Sequence, residues 1–238
     1  MKNKLAWLET ALVAAPFAAL LVLWDKLPAR IPVHWNLAGE ADRWSSSRWE
    51  VLLLPLIGLG SVLLCRALPP FDPKLRELLS SKSSASDGDT TQLTSETGRM
   101  PMALQVLRIA LAAFFGAMFA VQLAAAFDWP LPTARIVFTG ILLLFALIGN
   151  YLGNLRQNYF IGIRTPWTLD DAETWRATHR RGGQLLFFGS SALLLLTFVV
   201  RTEVFVPLVI GGAIAFAIWA FLFSWHHYHR RRYSGRAA

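Results

Sequence analysis

The sequence predicts an all-α, polytopic membrane protein with six transmembrane helices and both termini in the cytoplasm. Hydrophobic residues make up 55% of the 238 residues and charged residues only 16%, whereas a soluble domain has about a quarter of its residues charged. Apolar segments near the roughly 20 residues that a bilayer requires recur along the chain. Lysine and arginine cluster beside alternate ends of these segments, and this bias sets the orientation of a membrane protein.

The predicted spans cover residues 5–24, 51–68, 103–127, 136–152, 184–200 and 204–225. Lys2 and Lys4 precede the first span as in a signal peptide, but its apolar run is longer than a signal core, so we expect a retained helix. Glu9 lies near the entry of this span, where a snorkelling or protonated structural carboxylate is favoured over a functional one. Arg108, one turn inside the third span, is expected to snorkel toward the preceding linker.

Three parts are expected along the chain. Residues 1–68 form a helical hairpin with an outward loop rich in Pro, His and Trp, and residues 69–102 form a Ser-rich cytoplasmic linker. Residues 103–238 form a four-helix domain with a polar loop at 153–183. Within the linker, residues 82–91 cannot bury a core, which predicts disorder.

The polar loop at 153–183 predicts a tight turn and then a short helix. Gly162 can adopt backbone angles closed to other residues, which favours a turn there. Thr168 is the predicted N-cap, with Asp170 and Asp171 in the first helical turn, where negative charge suits the helix dipole. The alternative is a well-capped connecting loop with no further role.

We expect this helix to end at Gly182-Gly183 after about three turns. Trp175 and His179 are four residues apart and share one face, whereas arginines occupy another. A short helix of this kind is predicted to lie flat in the membrane interface.

A dense set of residues in this loop has a recognisable order and spacing. It comprises Asn158-Tyr159-Phe160, Gly162-Ile163-Arg164-Thr165-Pro166-Trp167-Thr168, Trp175 and Thr178-His179-Arg180. These residues resemble the signature of the SdpI family, with Gln157 as a departure where a proline or basic residue is expected. The resemblance implies a bacterial integral-membrane protein that gives immunity to a secreted toxin. It also implies signalling, because the family can hold a transcriptional repressor at the membrane when toxin is present.

The candidate cytoplasmic binding residues are the polar, aromatic and turn-forming members of this loop: Asn154, Asn158, Gly162, Arg164, Thr165, Pro166, Trp167, Trp175 and His179. Arg164 offers a fixed donor fork for an anion or carboxylate. The two tryptophans are expected to set depth in the interface. Arg164 and His179 together predict a positively charged site, more so at acidic pH.

The loop at residues 25–50 carries a second candidate site, which faces outward. Its core, Ile31-Pro32-x-His34-x-Asn36 with Gly39 and Asp42, resembles the domain of unknown function that often precedes the SdpI signature. The candidate outward binding residues are Pro32, His34, Asn36, Gly39 and Asp42. A hydrogen-bonded, lid-like loop is favoured over a metal site, because no second histidine has ligand spacing.

Most of the 23 lysines and arginines lie beside the termini, the linker and the loop at 153–183. The positive-inside bias therefore places those regions in the cytoplasm and the loop at 25–50 outside. The expected location is the cytoplasmic (inner) membrane of a bacterium. Expected partners are the bilayer with its anionic lipids, a peptide toxin and a cytoplasmic transcriptional repressor, with no direct nucleic-acid binding.

Three classes of function remain open. The chain lacks a nucleotide-binding glycine loop, a His-Glu-x-x-His motif and a Gly-x-Ser-x-Gly motif. We favour a toxin-immunity or toxin-sensing protein that acts by binding, with no catalytic residue, metal or cofactor. The alternatives are a small transporter or channel, and a membrane-embedded enzyme that uses Glu173 and His179 or the outer His34 and Asp42.

Overall fold

The computed structural model describes residues 2–67, 71–74 and 90–234, and these residues are mostly helical. The helices are α1 (Lys2–Leu23), α2 (Leu53–Ala67), α3 (Thr90–Ala126), α4 (Thr133–Leu152), α5 (Pro166–Asp170), α6 (Ala172–Leu196) and α7 (Thr202–Ser234). Short 3-10 turns at Trp24–Lys26 and Arg48–Leu52 follow α1 and precede α2. Strands β1 (Ile31–Trp35) and β2 (Ala41–Ser45) lie between these turns.

Five helical segments within the described ranges are long and apolar enough to cross a membrane: Lys4–Lys26, Arg48–Ala67, Met102–Ala126, Thr133–Leu152 and Thr202–Tyr233. The prediction of a mostly helical, multi-pass membrane protein is therefore confirmed. The span predicted at residues 184–200 is not among the five, because α6 ends at Leu196 and its first half is polar. Six spans and the orientation of the termini stay predictions.

The described chain departs from an all-α fold in the loop at 25–50. Strands β1 and β2 pair antiparallel, with Ile31 opposite Ser45 and Trp35 opposite Ala41. The turn between them needs Gly39, whose φ of 86° favours glycine. The lid-like loop expected from the sequence is therefore a small hairpin.

The C-terminal part of the linker predicted at residues 69–102 is helical in the structure. Helix α3 begins at Thr90, so the helix extends well beyond the span predicted from residue 103. Residues 90 and 91 of the segment expected to be disordered are helical, and residues 82–89 lie outside the described residues.

The chain forms two compact units. Unit 1 comprises Met1–Cys65, Gln105–Leu144 and Ser191–Val209, and unit 2 comprises Arg66–Leu104, Phe145–Ser190 and Ile210–Ala238. The hairpin belongs to unit 1 and the polar loop at 153–183 to unit 2. The three-part domain division stays a prediction.

The core of unit 1 holds the hairpin against α3. Its buried residues are Leu20, Leu27, Ile31, Val51, Phe119, Leu123 and Ala126. Gln122 of α3 is also buried, and its amide Nε2 donates to the Pro32 carbonyl at 3.1 Å. The N-terminal end of β1 is thus fixed by apolar packing and by a buried hydrogen bond.

An ion pair joins α1 to α3 in unit 1. Arg108 Nε donates to both Glu9 carboxylate oxygens, at 3.1 and 3.3 Å, and the Glu9 side chain is only 1% exposed. The expectation that Arg108 snorkels to the linker is therefore wrong. A carboxylate withdrawn from water needs a cationic partner, and Arg108 supplies it.

Within unit 2, the C-terminal part of α4 comes into close contact with α6 at glycines. A Cβ atom on Gly149 would lie 2.6 Å from the Phe187 backbone nitrogen, and one on Gly183 would lie 2.7 Å from the Gly149 carbonyl oxygen. Gly182-Gly183 therefore lies inside α6. The prediction that the helix ends at these two glycines is wrong. Small residues at such a crossing let two helix backbones approach each other.

Candidate functional site

The loop at residues 153–183, called the signature loop from here on, is organised by Asn158. Its Oδ1 accepts hydrogen bonds from the backbone N–H groups of Phe160 and Ile161 at 2.9 and 2.7 Å. Its Nδ2 donates to the carbonyls of Arg156 and Ile161 at 2.8 and 3.0 Å. Since the residue is 1% exposed and its amide is fully engaged, Asn158 builds the turn and has no capacity left for a ligand.

Gly162 follows Asn158 in this turn and packs directly on α6. Its φ is 117°, which confirms the tight turn expected at this position. A Cβ atom here would lie 2.4 Å from His179 Nε2 and 3.2 Å from the Trp175 ring. Both the backbone angle and the available space therefore require glycine.

His179 and Trp175 of α6 form a buried stack under the turn. Their ring centroids are 3.8 Å apart at an interplanar angle of 18°, and each residue is 1% exposed. The indole Nε1 donates to the Leu155 carbonyl at 2.8 Å. Trp175 is thus enclosed by the loop, and the expectation that it sets depth in the membrane interface is wrong.

The hydrogen bonds of His179 define a neutral imidazole. Nδ1 lies 2.9 Å from the Trp175 carbonyl and must donate to it, whereas Nε2 accepts the Ile163 N–H at 3.0 Å. Burial lowers the pKa of His179 from 6.5 to about 4, although the Trp175 carbonyl opposes this shift. The additional positive charge expected on this side chain at mildly acidic pH is therefore absent.

The single helix expected to begin after Thr168 is two helices, α5 and α6, and Thr165 is the N-cap of α5. Thr165 Oγ1 accepts the Thr168 N–H at 3.3 Å and Thr168 Oγ1 accepts the Thr165 N–H at 2.9 Å, which together form a capping box. Pro166 occupies the first turn, where its missing N–H costs nothing. Thr165 Oγ1 also lies 3.0 Å from the hydroxyl of Ser224, which ties the cap to α7.

The remaining candidates of the signature loop lie nearer the surface. Arg164 is exposed, and its Nη1 donates to the Tyr159 carbonyl at 2.9 Å. Trp167 packs edge-on against Phe221 of α7, with 5.0 Å between the ring centroids. Asn154 is half-buried just after α4. No hydrogen bond between Arg164 and His179 occurs in the described part of the loop, where both His179 nitrogens have backbone partners.

Three residues that the sequence analysis did not assign to the site hold the loop in place. Gln157 Nε2 donates to the carbonyls of Thr168 and Leu169, at 2.7 and 2.9 Å, at the end of α5. The fully buried Asp72 accepts the Tyr159 N–H at 2.7 Å. Lys74 Nζ donates to the Leu169 carbonyl at 2.7 Å. Asp72 and Lys74 are distant in sequence, so only the fold reveals their role.

The junction between α5 and α6 is tied to the C-terminal part of α7. Asp171 caps α6 by accepting the Thr174 N–H and hydroxyl at 2.8 and 2.6 Å, and Arg231 lies 3.5 Å from its carboxylate. Burial opposes ionisation, but the Thr174 hydrogen bonds and the Arg231 charge outweigh it and lower the pKa of Asp171. Asp170 accepts the Tyr228 hydroxyl.

The hairpin of unit 1 presents its histidine differently. His34 Nδ1 lies 2.6 Å from Asp42 Oδ1 across the two strands, and the side chains are 58% and 42% exposed. Asn36 Oδ1 accepts the N–H groups of Ala38 and Glu40, both at 3.0 Å, so Asn36 shapes the turn. The structure therefore brings His34 and Asp42 together on the surface.

The other two outward candidates are structural. Pro32 is buried at the N-terminal end of β1. A Cβ atom on Gly39 would lie 2.6 Å from the Ala134 backbone nitrogen. Within the described ranges, no three His, Cys, Asp or Glu side chains converge as metal ligands.

Comparisons with known proteins match both polar segments. The domain of unknown function DUF1648 matches residues 11–59, and the SdpI/YfhL protein family matches residues 154–224. The chain is similar to the immunity protein SdpI of Bacillus subtilis (strain 168), with 22% identity over 219 residues that cover 92% of this chain and 93% of that protein. No solved structure matches the chain.

The apolar helices and these matches together define a multi-pass membrane protein. The resemblance seen in the sequence is confirmed: residues 154–224 match the SdpI/YfhL family, and residues 11–59 before them match DUF1648.

Proposed function

We propose that the chain is a membrane immunity protein that senses a peptide toxin at its hairpin and relays toxin binding to a cytoplasmic repressor through its signature loop. The observation that carries the proposal is the similarity to the Bacillus subtilis immunity protein SdpI over nearly the full length of both chains. The orientation comes from the charge bias, which places the hairpin outside and the signature loop in the cytoplasm.

The hairpin supports toxin binding because it offers polar and apolar groups together. His34 and Asp42 supply an exposed hydrogen-bonding pair. Leu37 and Trp44 are 65% and 41% exposed on the same two-stranded element. A surface that combines a hydrogen-bonding pair with aromatic and aliphatic side chains suits an amphipathic peptide.

The signature loop supports a relay because its exposed groups rest on a rigid base. Arg164 and Tyr159 lie at the surface, whereas Asn158, Trp175 and His179 below them are buried and hydrogen-bonded. Arg164 is the group whose guanidinium can clamp a carboxylate of a partner.

The test is protection of a toxin-exposed Bacillus subtilis strain that lacks its own SdpI. The wild-type chain should restore growth, and His34→Ala with Asp42→Ala should reduce protection at an unchanged protein level. Arg164→Lys should keep protection but weaken the transcriptional response. Ser61→Ala in α2, which removes only a hydrogen bond within its own helix, is the matched control. Full protection by the hairpin double mutant would contradict toxin sensing at the hairpin.

A labelling experiment tests the orientation independently. In a Cys65→Ser background, Ser46→Cys in the hairpin segment should react with an impermeant maleimide on intact cells. Glu173→Cys in the signature loop should react only after the cells are permeabilised. The reverse pattern would contradict the proposed topology and leave the family assignment intact.

A further inference from the structure

We propose that Arg180, Arg181 and Gln184 of α6 bind the phosphate of an anionic phospholipid whose acyl chains cover Leu185 and Phe188. The three polar side chains are exposed, and the two apolar side chains that follow them are 49% and 66% exposed. All five residues belong to unit 2. None of them is assigned above to a toxin or to a repressor, so the site does not depend on the proposed function.

The change from polar to apolar sequence in α6 occurs within one helical turn. Residues 180 and 181 are arginines, whereas residues 185–196 contain no charged side chain. Leu185 and Phe188 are exposed at the start of this apolar stretch. Exposed apolar side chains on a helix of a multi-pass membrane protein contact lipid chains, so we place the edge of the hydrocarbon layer between Arg181 and Leu185.

Helix α7 places this edge at the same level. Its apolar stretch, residues 204–225, ends at Trp225, which is 46% exposed, and tryptophan favours the membrane surface. Two residues earlier, Phe223 contacts α6, because the guanidinium carbon of Arg181 lies 5.2 Å from the centroid of the Phe223 ring. The apolar stretches of α6 and α7 therefore end side by side, and the arginines of α6 lie at the level of the lipid head groups.

The guanidinium groups of Arg180 and Arg181 are available to an anion. Within the described ranges, neither of them forms an ion pair or a side-chain hydrogen bond, whereas Arg176 Nη1, one turn earlier, lies 3.1 Å from the Glu173 carboxylate. The contact with Phe223 uses the flat face of the Arg181 guanidinium and leaves the N–H groups along its edge able to donate. The two positive charges are thus not balanced by a carboxylate.

The helix geometry brings the three polar side chains to one place. Gln184 lies one turn after Arg180 and projects between the two arginines around the helix axis. Side chains on a helix lean toward its N-terminus, so both guanidinium groups point away from the apolar stretch. A phosphate beside Gln184 can accept hydrogen bonds from both arginines, and Phe188 lies about 10 Å further along the axis than Arg181, within reach of an acyl chain.

The occupant is a phospholipid and not a soluble anion, because the charged and apolar groups adjoin. A phosphodiester carried on acyl chains satisfies the arginines and covers Leu185 and Phe188 together. Inorganic phosphate would gain only the polar contacts, and an acidic peptide would have to displace lipid chains from the apolar side chains.

The experiment measures binding of dioctanoyl-phosphatidylglycerol to the purified full-length protein in a neutral detergent by native mass spectrometry. The double variant Arg180→Gln with Arg181→Gln should weaken binding about tenfold, because it removes the charge-assisted contacts. Arg176→Gln, the matched control, removes the same charge one turn away and should change binding by less than about twofold. The wild-type protein should bind dioctanoyl-phosphatidylcholine more weakly than phosphatidylglycerol, and the double variant should bind the two lipids alike.

Four results would overturn the proposal. Equal losses for the double variant and for Arg176→Gln would show only a diffuse basic surface. Equal binding of the two lipids by the wild-type protein would show that the anionic head group is not recognised. Displacement of the lipid by millimolar inorganic phosphate, or by hexaglutamate, would assign the arginines to a soluble ligand.

The melting temperature of each variant in the same detergent separates lost binding from lost fold. If the double variant melts at a lower temperature, Arg180→Gln alone repeats the test, because the Arg180 side chain has no partner within the described ranges. This single variant should keep the wild-type melting temperature and weaken phosphatidylglycerol binding about threefold. Unchanged binding by Arg180→Gln would contradict the proposal.

Discussion

The hairpin of unit 1 and the signature loop of unit 2 contain the same three structural elements: an asparagine, a glycine with positive φ and a histidine. Asn36 and Asn158 each accept two backbone N–H groups through Oδ1. Gly39 and Gly162 have φ of 86° and 117°, and a Cβ atom on either would collide with a neighbour. In both segments, asparagine and glycine make the chain reverse direction.

The two segments differ in the environment of their histidines. The His34 side chain is 58% exposed and faces a carboxylate, whereas His179 is 1% exposed and faces two backbone groups. A ligand can reach the first without any rearrangement, but it can reach the second only if the turn at Gly162 opens. A dense sequence signature can thus specify a folded support, whereas a sparser one exposes the groups that can bind.

The largest effect is expected for Gly162→Ala. A methyl group would lie 2.4 Å from His179 Nε2 at a φ of 117°, so we expect a loss of stability on the order of 3 kcal/mol from combined strain and overpacking. The measurement is the unfolding midpoint of the purified protein in detergent. A loss of less than about 1 kcal/mol would mean that the turn adapts, and the signature loop would then not be a rigid support.

The matched control is Gly189→Ala in α6. A Cβ atom there would have no neighbour within 4 Å, so this variant should be neutral or stabilised by up to about 1 kcal/mol, because alanine favours a helix. Gly39→Ala should resemble Gly162→Ala in stability, since both turns require a positive φ.

The next effect is a pH dependence that belongs to His179. Its folded pKa of about 4 lies below the ordinary value of 6.5, so between these values the unfolded chain binds a proton that the folded chain does not. The contribution of His179 to the free energy of unfolding should be fully present above pH 6.5. It should fall by about 3 kcal/mol as the pH drops to 4. Chemical denaturation in detergent at pH 4 to 7.5 measures this loss.

Two histidine variants isolate the contribution of His179 to this pH dependence. His179→Gln should be less stable at pH 7 but lose most of the decline between pH 6.5 and 4. His34→Gln, at an exposed position, should keep the wild-type decline. An unchanged decline in His179→Gln would show that the imidazole titrates normally and is accessible, which would erase the contrast between the two histidines.

Local sequence rules predicted much of the fold. Five of the expected spans correspond to apolar helices, and the turn at Gly162 was predicted from the freedom of glycine alone. The stop at Gly182-Gly183 was wrong because the same freedom that ends a helix also permits close helix contact. Gly149, which makes that contact, lies far away in sequence.

The site was harder to predict for the same reason. Nothing near Trp175 in sequence shows that Leu155 will accept its indole N–H, and nothing near Tyr159 shows that Asp72 will accept its backbone N–H. The N-cap was misplaced from Thr165 to Thr168 because either threonine suits a cap locally. Only the loop's own fold decides which one occupies that position.

A smaller effect is expected for the cap of α6. Asp171→Ala removes the acceptor of two Thr174 hydrogen bonds and should cost about 1 kcal/mol at pH 7. Because the folded pKa of Asp171 is below its ordinary 3.8, this contribution is present above pH 3.8 and is lost as the pH falls further. Thermal unfolding at pH 7 checks the loss. Asn substitution, which keeps an acceptor, should retain part of the stability.

The smallest effect on stability, and the most informative for function, is expected for the His34–Asp42 pair. The two side chains are about half exposed, so water and salt screen their attraction, and a double-mutant cycle with alanine should give a coupling of less than about 1 kcal/mol. A coupling well above that would make the pair a structural element like those of the signature loop. A small coupling combined with lost toxin protection would instead mean that His34 and Asp42 form hydrogen bonds with a ligand. The exposed hairpin would then bind the ligand, whereas the enclosed residues of the signature loop support the fold.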